Sequence, residues 1–223
     1  MPQAAPSPDL DLAAQELRFL LARGYPREKC LVLVGDCHAL LARDRDILRR
    51  AVLAPERAAQ RRTKLLEPSA LAGRPVGLDG HNVLITLESA LAGRILVRGD
   101  DGVIRDIARA AKSFKISALT DRALELILHT LKNLEAAEAF FYLDQPVSFS
   151  GRLAHKIKGE MAGLGLAGTA LAVPLPERQL RPFEGPVASS DGELIEACSE
   201  PIDLAGLIIG QKMREAPVIE LST

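Results

Sequence analysis

Tryptophan is absent, and only two tyrosines and six phenylalanines occur in 223 residues. Leu, Ala, Val and Ile must therefore fill the interior. Cysteine is also scarce: Cys30, Cys37 and Cys198 cannot all pair, which excludes a disulfide scaffold. No apolar run approaches the ~20 residues that a membrane span needs. The opening MPQAAPSPDLDL lacks the basic-then-apolar order of a signal peptide, which predicts a cytoplasmic chain. A net charge of −1 excludes a uniformly basic coat for nucleic acid. What remains is 48% hydrophobic and 26% charged, enough apolar material for a sizeable core and too much for a wholly disordered chain. The length suits one large domain or two small ones.

Charge is unevenly divided. Residues 1–72 hold 12 basic and 9 acidic side chains, and the rest hold 16 and 20. Eight of the basic ones lie within 43–64, among them Arg45, Arg49 and Arg50. A basic N-terminal part therefore precedes an acidic remainder, as two modules with different jobs would. In the first part, residues 1–8 are Pro/Ala/Ser-rich and read as loose. A helix starts near Asp9, with Leu10, Leu12, Ala13, Leu17, Leu20 and Leu21 on one stripe, and stops at Gly24. Pro26 opens the next helix, and further helices are expected over 44–53 and 55–66. The region 9–68 thus reads as all-α. Its Gly-Asp turn and arginine-bearing helix suit a helix-turn-helix; a small bundle with solvated arginines is the competing reading.

After Pro68 short apolar runs alternate with helical patterns, the signature of an α/β fold over 74–214. The segments 75–79, 139–144, 169–175 and 186–190 read as strands of a mainly parallel sheet, and GDDG at 99–102 as a hairpin turn. Residues 82–92 are ambiguous between helix and strand. Residues 120–134 form an amphipathic helix with Thr120 as candidate N-cap, and 150–162, 192–197 and 203–213 read as helical.

Three apolar strands end in an aspartate: Asp79, Asp144 and Asp191. Sites in open α/β sheets form outside the carboxyl ends of the strands, so these three can converge although 65 and 47 residues separate them in sequence. Three close carboxylates repel one another, and a hard divalent cation relieves that repulsion. Oxygen-only ligands favour Mg²⁺ or Mn²⁺. Asn82 is placed to meet metal-bound water or a phosphate oxygen. Ser148 and Ser150 follow Asp144, with Ser150 a candidate cap of the next helix, and Ser189 and Ser190 precede Asp191. Glu88 and Asp121 are candidate further carboxylates, and His81 is a candidate base. For each residue a turn, cap or surface role competes, since Asp and Ser are common there. Cys30, Cys37 and His38 lack a fourth ligand at zinc spacing. No P-loop or nucleophile-elbow motif is present.

The segments GLDGHNVLITLESALAGR, GDDGVIRD, LDQPVSFSGRLAHKI and VASSDGELI, in that order, resemble the prokaryotic family called domain of unknown function 434. RFLLARGYPREKCLVLVGDCHALLARDRDILRRAV resembles that family's helical first part, so the resemblance runs over about 9–212. More remotely, the Asp-Gly-x-Asn start, the Asp144 strand and the Ser190–Asp191 pair are similar to PIN-like nucleases, above all their NYN branch. That resemblance implies a Rossmann-like α/β/α three-layer sandwich whose strand-end acids hold Mg²⁺ or Mn²⁺ for RNA cleavage. Asp79, Asp144 and Asp191 match its acidic ligands, and Asn82 matches the Asn of its opening motif.

The resulting expectation is a metal-dependent nuclease. Asp79, Asp144, Asp191 and Asn82 serve chemistry, Ser148, Ser150, Ser190, Arg45, Arg49 and Arg50 hold substrate, and RNA is favoured over DNA. Rival readings are a non-catalytic nucleic-acid binder, a phosphohydrolase for a small phosphorylated molecule, and a structural protein whose aspartates are caps. Ala/Leu-rich helices with few aromatics also suit packing as a homodimer.

Overall fold

The computed structural model describes residues 7–107 and 114–222; most of the loose 1–8 stretch lies outside them. Four helices come first: α1 (Leu10–Ala22), α2 (Arg27–Cys37), α3 (Ala42–Ala51) and α4 (Pro55–Lys64). Then follow β1 (Pro75–Asp79), α5 (Gly80–Leu91), β2 (Leu96–Arg98), β3 (Ile104–Asp106) and α6 (Ala118–Asn133). Next are β4 (Glu138–Asp144), α7 (Ser150–Leu164), β5 (Ala167–Val173), α8 (Glu177–Leu180) and β6 (Val187–Ala188). The chain closes with α9 (Gly192–Ala197), β7 (Pro201–Ile202), α10 (Leu204–Lys212) and β8 (Val218–Glu220).

Five strands form one sheet in the order β5-β4-β1-β6-β7, and each neighbouring pair is parallel. All five carboxyl ends therefore lie at one edge. The expected strands are its members, with shifted ends. Pro174 stops β5 after Val173. The strand expected over 186–190 shrinks to two residues: Pro186 has no N–H, and the Ser190 N–H turns away to Asn82 Oδ1. Helix α5 was ambiguous in sequence because ten of its twelve residues are buried, so it has no polar face to reveal its period.

The cap expected at Thr120 is instead at Ser117, three residues earlier. Ser117 Oγ accepts from Leu119 N–H at 3.2 Å, and Thr120 Oγ1 accepts from Ser117 N–H at 2.9 Å. Behind that cap Leu124, Ile127, Leu128 and Leu131 are buried, each worth about 1.5–3 kcal/mol.

The two faces of the sheet are unequally covered. Val76, Leu78, Ala139, Phe141 and Leu143 join α5, α6, α7 and α10 in one large core. On the other face Leu180, Val187, Leu194 and Cys198 form a thin second cluster with Tyr142 and Phe183. Mixed α/β architecture with a parallel sheet is thus observed, with a full helical layer on one side and short α8 and α9 on the other.

The expected hairpin forms, but it is not a surface ornament. Strand β2 pairs antiparallel with β3 and parallel with the C-terminal β8. Val97, Ile107, Ile219 and Leu221 from this region share a core with Leu10, Leu17, Leu31, Ile47 and Leu48 of the N-terminal helices. The hairpin turn anchors the same junction. Asp100 takes a two-pronged ion pair from Arg18, at 2.8 and 3.0 Å, and accepts from Leu53 N–H at 2.9 Å. Asp101 is fully buried between Arg105, at 2.6 Å, and Arg61, at 3.0 Å. Among the described residues, no helix is long and apolar enough to cross a membrane.

Candidate active site at the carboxyl edge of the sheet

Parallel pairing of β4, β1 and β6 delivers Asp79, Asp144 and Asp191 to one edge. Asp79 ends β1 on the face that Gly77 presents to Leu180 and Phe183. Ser189 Oγ donates to Asp79 Oδ2 at 2.8 Å and accepts from Asp191 N–H at 3.0 Å, so one hydroxyl ties the first and third aspartates together. Burial pushes the Asp79 carboxyl up to about 7; the Ser189 hydrogen bond opposes this, while the charges of Asp144, Asp191 and Glu177 add to it. The repulsion expected among strand-end acids is thus felt at Asp79.

Asp191 is the N-cap of α9: its Oδ1 accepts from Glu193 and Leu194 N–H, both at 2.9 Å. The cap role weighed against a site role is therefore occupied by one of its oxygens. Asn82 Oδ1 accepts from Ser190 N–H at 2.8 Å and from Ser190 Oγ at 2.9 Å, clamping the turn that carries Asp191. Asp144 is partly exposed. Its backbone N–H donates to His81 Nδ1 at 3.0 Å, and its Oδ2 lies 3.3 Å from the same nitrogen. An Nδ1 that accepts places the proton of a neutral imidazole on Nε2. That Nε2 is buried without a hydrogen-bond partner among the described residues, and the ring meets Phe114 edge-on at 5.0 Å. His81 is thus a positioning residue for the end of β4, not a base facing the open edge.

Ser150 does not cap α7. Its Oγ–H is shared between the carbonyls of Asp144 at 2.6 Å and Val147 at 2.5 Å, closing the turn after β4, while Phe149 in the left-handed region occupies the cap position. Ser148 is exposed. Neither Glu88 nor Asp121 completes the acidic group. Glu88 is buried and accepts from Thr120 Oγ1 at 2.6 Å, and Asp121 pairs with Lys156 at 3.0 Å. The further carboxylate whose charge reaches Asp79 is Glu177. Sequence reasoning passed over it; the available signal was its position just beyond β5, the one strand without a terminal acid.

The arginines divide in the same unexpected way. Arg45 turns from the edge: it pairs with Asp36 at 2.8 Å and donates to Leu40 O at 2.9 Å. Arg49 and Arg50 line a cleft of about 490 Å³ that also contains Arg27, Arg57, Arg61 and Arg105. Asp191, Gly192 and Glu193 form its far wall. Close approach there depends on glycine, since a Cβ at Gly192 would lie 2.6 Å from the Arg61 guanidinium. A second cleft of about 360 Å³ shares Asp191 and Glu193 and adds Glu177, Arg178 and Arg181. Asp191 therefore stands between two arginine-bearing clefts, and the remote Arg27 and Arg105 join a basic group that the 43–64 stretch announced only in part.

Among the described residues, no three His, Cys, Asp or Glu side chains are spaced to hold one metal ion by themselves. Mg²⁺, however, is commonly held by one or two carboxylates together with substrate phosphates. Asp79, with its raised affinity for a positive partner, and the partly exposed Asp144 fit that pattern.

Fold and site together define a mixed α/β protein in which N-terminal helices close an arginine cleft against the acidic edge of a parallel sheet. The chain belongs to the family described as Domain of unknown function (DUF5616), which matches residues 68–207. Residues 9–64 match a second family, described as Protein of unknown function (DUF434). The resemblance read across 9–212 thus resolves into two consecutive matches. An uncharacterized protein of Methanocaldococcus jannaschii, MJ0935, is 31% identical over 188 residues, which are 84% of this chain and 89% of that protein. No solved structure matches.

Proposed function

We propose that this protein is a Mg²⁺- or Mn²⁺-dependent phosphodiesterase acting on nucleic acid, RNA before DNA, on a Rossmann-like sheet edge of the PIN/NYN kind. The observation that carries the reading is the Asp79 carboxyl, pushed up to about 7 with the charges of Asp144, Asp191 and Glu177 contributing, beside a cleft lined by six arginines. A site that concentrates negative charge next to a phosphate-binding surface suits a cation that arrives with a phosphate. The ion, when bound, would polarise the scissile phosphate and acidify an attacking water. Asp79 and Asp144 would hold it. Ser189 keeps Asp79 and the Asp191 turn in register, and Asn82 fixes the Ser190 backbone. Arg49 and Arg50 would hold the substrate backbone, with affinity falling as salt rises. Unpaired Cys30, Cys37 and Cys198 agree with a reducing, cytoplasmic setting.

The cap role of Asp191 favours a second reading, in which the same surface binds nucleic acid without cutting it. Incubating the full chain with end-labelled single-stranded RNA and Mn²⁺ separates the two. Cleavage lost in Asp79→Asn and in excess chelator supports hydrolysis. Retained RNA with salt-sensitive binding and no products supports the second reading.

A further inference from the structure

The six cleft arginines are not equivalent. Arg49 pairs with Asp46 at 2.9 Å, Arg57 with Glu196 at 2.7 Å, Arg61 with Asp101 at 3.0 Å and Arg105 with Asp101 at 2.6 Å. Arg27 and Arg50 have no carboxylate within ion-pair distance among the described residues. Arg27 is held instead by two neutral acceptors, the carbonyls of Val52 at 2.7 Å and Arg49 at 2.6 Å, at the C-terminal end of α3. Arg50 makes no hydrogen bond or ion pair among the described residues, and only its longer-range attraction reaches the buried Asp106. The crowding is felt: burial lowers the Arg27 guanidinium below its ordinary value, and the charges of Arg57, Arg61 and Arg105 lower it further.

We propose that this cleft is a recognition pocket for a phosphomonoester, the terminal phosphate of a polynucleotide or of a free nucleotide, beside the acidic edge where hydrolysis is placed and sharing Asp191 with it. Among the described residues the six arginines of the cleft outnumber its four lining acids, Glu28, Asp46, Asp191 and Glu193, by two, which matches the charge of about −2 that a phosphomonoester carries near neutral pH, whereas an internal phosphodiester carries one charge and leaves the excess half answered. Guanidinium forks suit phosphate oxygens because two parallel N–H groups meet two of them. A volume of about 490 Å³ accommodates a nucleotide-sized group. The inference extends the nucleic-acid reading to the end of the substrate, but it is tested without hydrolysis, so either can fail alone.

The test uses the full chain in chelator, with fluorescence anisotropy of one short single-stranded oligoribonucleotide carrying either a 5′-phosphate or a 5′-hydroxyl. AMP and inorganic phosphate are titrated by calorimetry. The phosphorylated strand is expected to bind about tenfold more tightly than its hydroxyl twin. Arg50→Ala should remove that preference, and Arg50→Lys should restore part of it by returning the charge without the fork. Arg50 makes no hydrogen bond or ion pair among the described residues, but its charge reaches the buried Asp106, so the thermal midpoint of each variant is measured beside its affinity and Arg50→Lys, which keeps that charge, should hold the parent's midpoint. Preference for the phosphorylated strand with weak AMP binding identifies a strand end; comparable AMP binding identifies a free nucleotide; both support the pocket. Equal affinity for the two strands, a preference unchanged in Arg50→Ala, or no binding of strand, AMP and phosphate alike overturns it.

Discussion

Replacing Asp79 by asparagine should make the metal-free protein more stable, and the gain should depend on pH in a defined window. In the folded protein this carboxyl is raised from 3.8 to about 7. Folding therefore strengthens its hold on a proton. Below about pH 4 the group is protonated in both states and contributes nothing to pH dependence. As pH rises from about 4 to about 7 the unfolded chain has lost the proton while the folded chain keeps it, so stability falls; above about 7 the loss is complete. At ~1.4 kcal/mol per pKa unit, the full shift corresponds to roughly 4 kcal/mol. Asp79 is half-buried and not sealed, so screening leaves an expected gain of about 2 kcal/mol for Asp79→Asn at pH 8. Asparagine retains an oxygen for the Ser189 hydroxyl, which limits other losses. Urea denaturation of parent and variant between pH 4 and pH 8.5 measures the difference. The two proteins should be alike near pH 4 and diverge upward. Curves that run parallel across the whole range would refute the reasoning. Added Mn²⁺ should raise the parent's midpoint by mass action and leave the variant's nearly unchanged.

Asp101→Asn should cost about 3–5 kcal/mol at pH 7, read from the urea midpoint, because it leaves Arg61 and Arg105 buried against a neutral group. Burial alone would raise the Asp101 carboxyl, but Arg105 and Arg61 together hold it below its ordinary value. Its contribution to stability is therefore present above about pH 4 and lost as pH falls through its depressed folded value, a loss absent from the variant. Gly168→Ala should destabilise by more than about 2 kcal/mol or prevent folding, since the residue sits at φ +120° and a Cβ would lie 2.0 Å from Ala139 O across the β4–β5 pairing. Wild-type thermal stability in that variant would contradict the register. In RNA binding, Arg45→Ala should leave affinity and salt slope unchanged, whereas Arg50→Ala should flatten the slope by about one. Filter binding at two salt concentrations compares them.

Local information carried much of the sheet. PVGLD, AFFYLD and the run before Asp191 are apolar stretches stopped by an acid and a turn, and those cues need no distant partner. The strand interiors, the hairpin at 99–102 and the meeting of Asp79 and Asp144 on adjacent parallel strands were accordingly legible. Two-residue strands such as β7 were not, because their pairing depends on the sheet already being there. Strand β8 was missed for the same reason: it finds its partner β2 across 122 residues.

The site splits along the same line. That acids would gather at the carboxyl edge was determined by the chain itself, through three strand ends and the rule of parallel connection. Which oxygens remain free there was decided only by tertiary structure. One oxygen of Asp191 is taken by the start of α9, Ser150 turns to carbonyls behind Asp144, and Glu177 arrives from the turn just beyond β5. The basic stretch at 43–64 was equally plain as composition and equally silent as geometry. Arg57 meets Glu196 from 139 residues away and Arg61 meets Asp101 from 40, while Arg27 and Arg50 have no carboxylate at ion-pair distance among the described residues. A charge count fixes how many cations a segment holds; only the fold decides which of them find an internal anion, because that depends on distances of a few ångströms between residues the sequence keeps far apart.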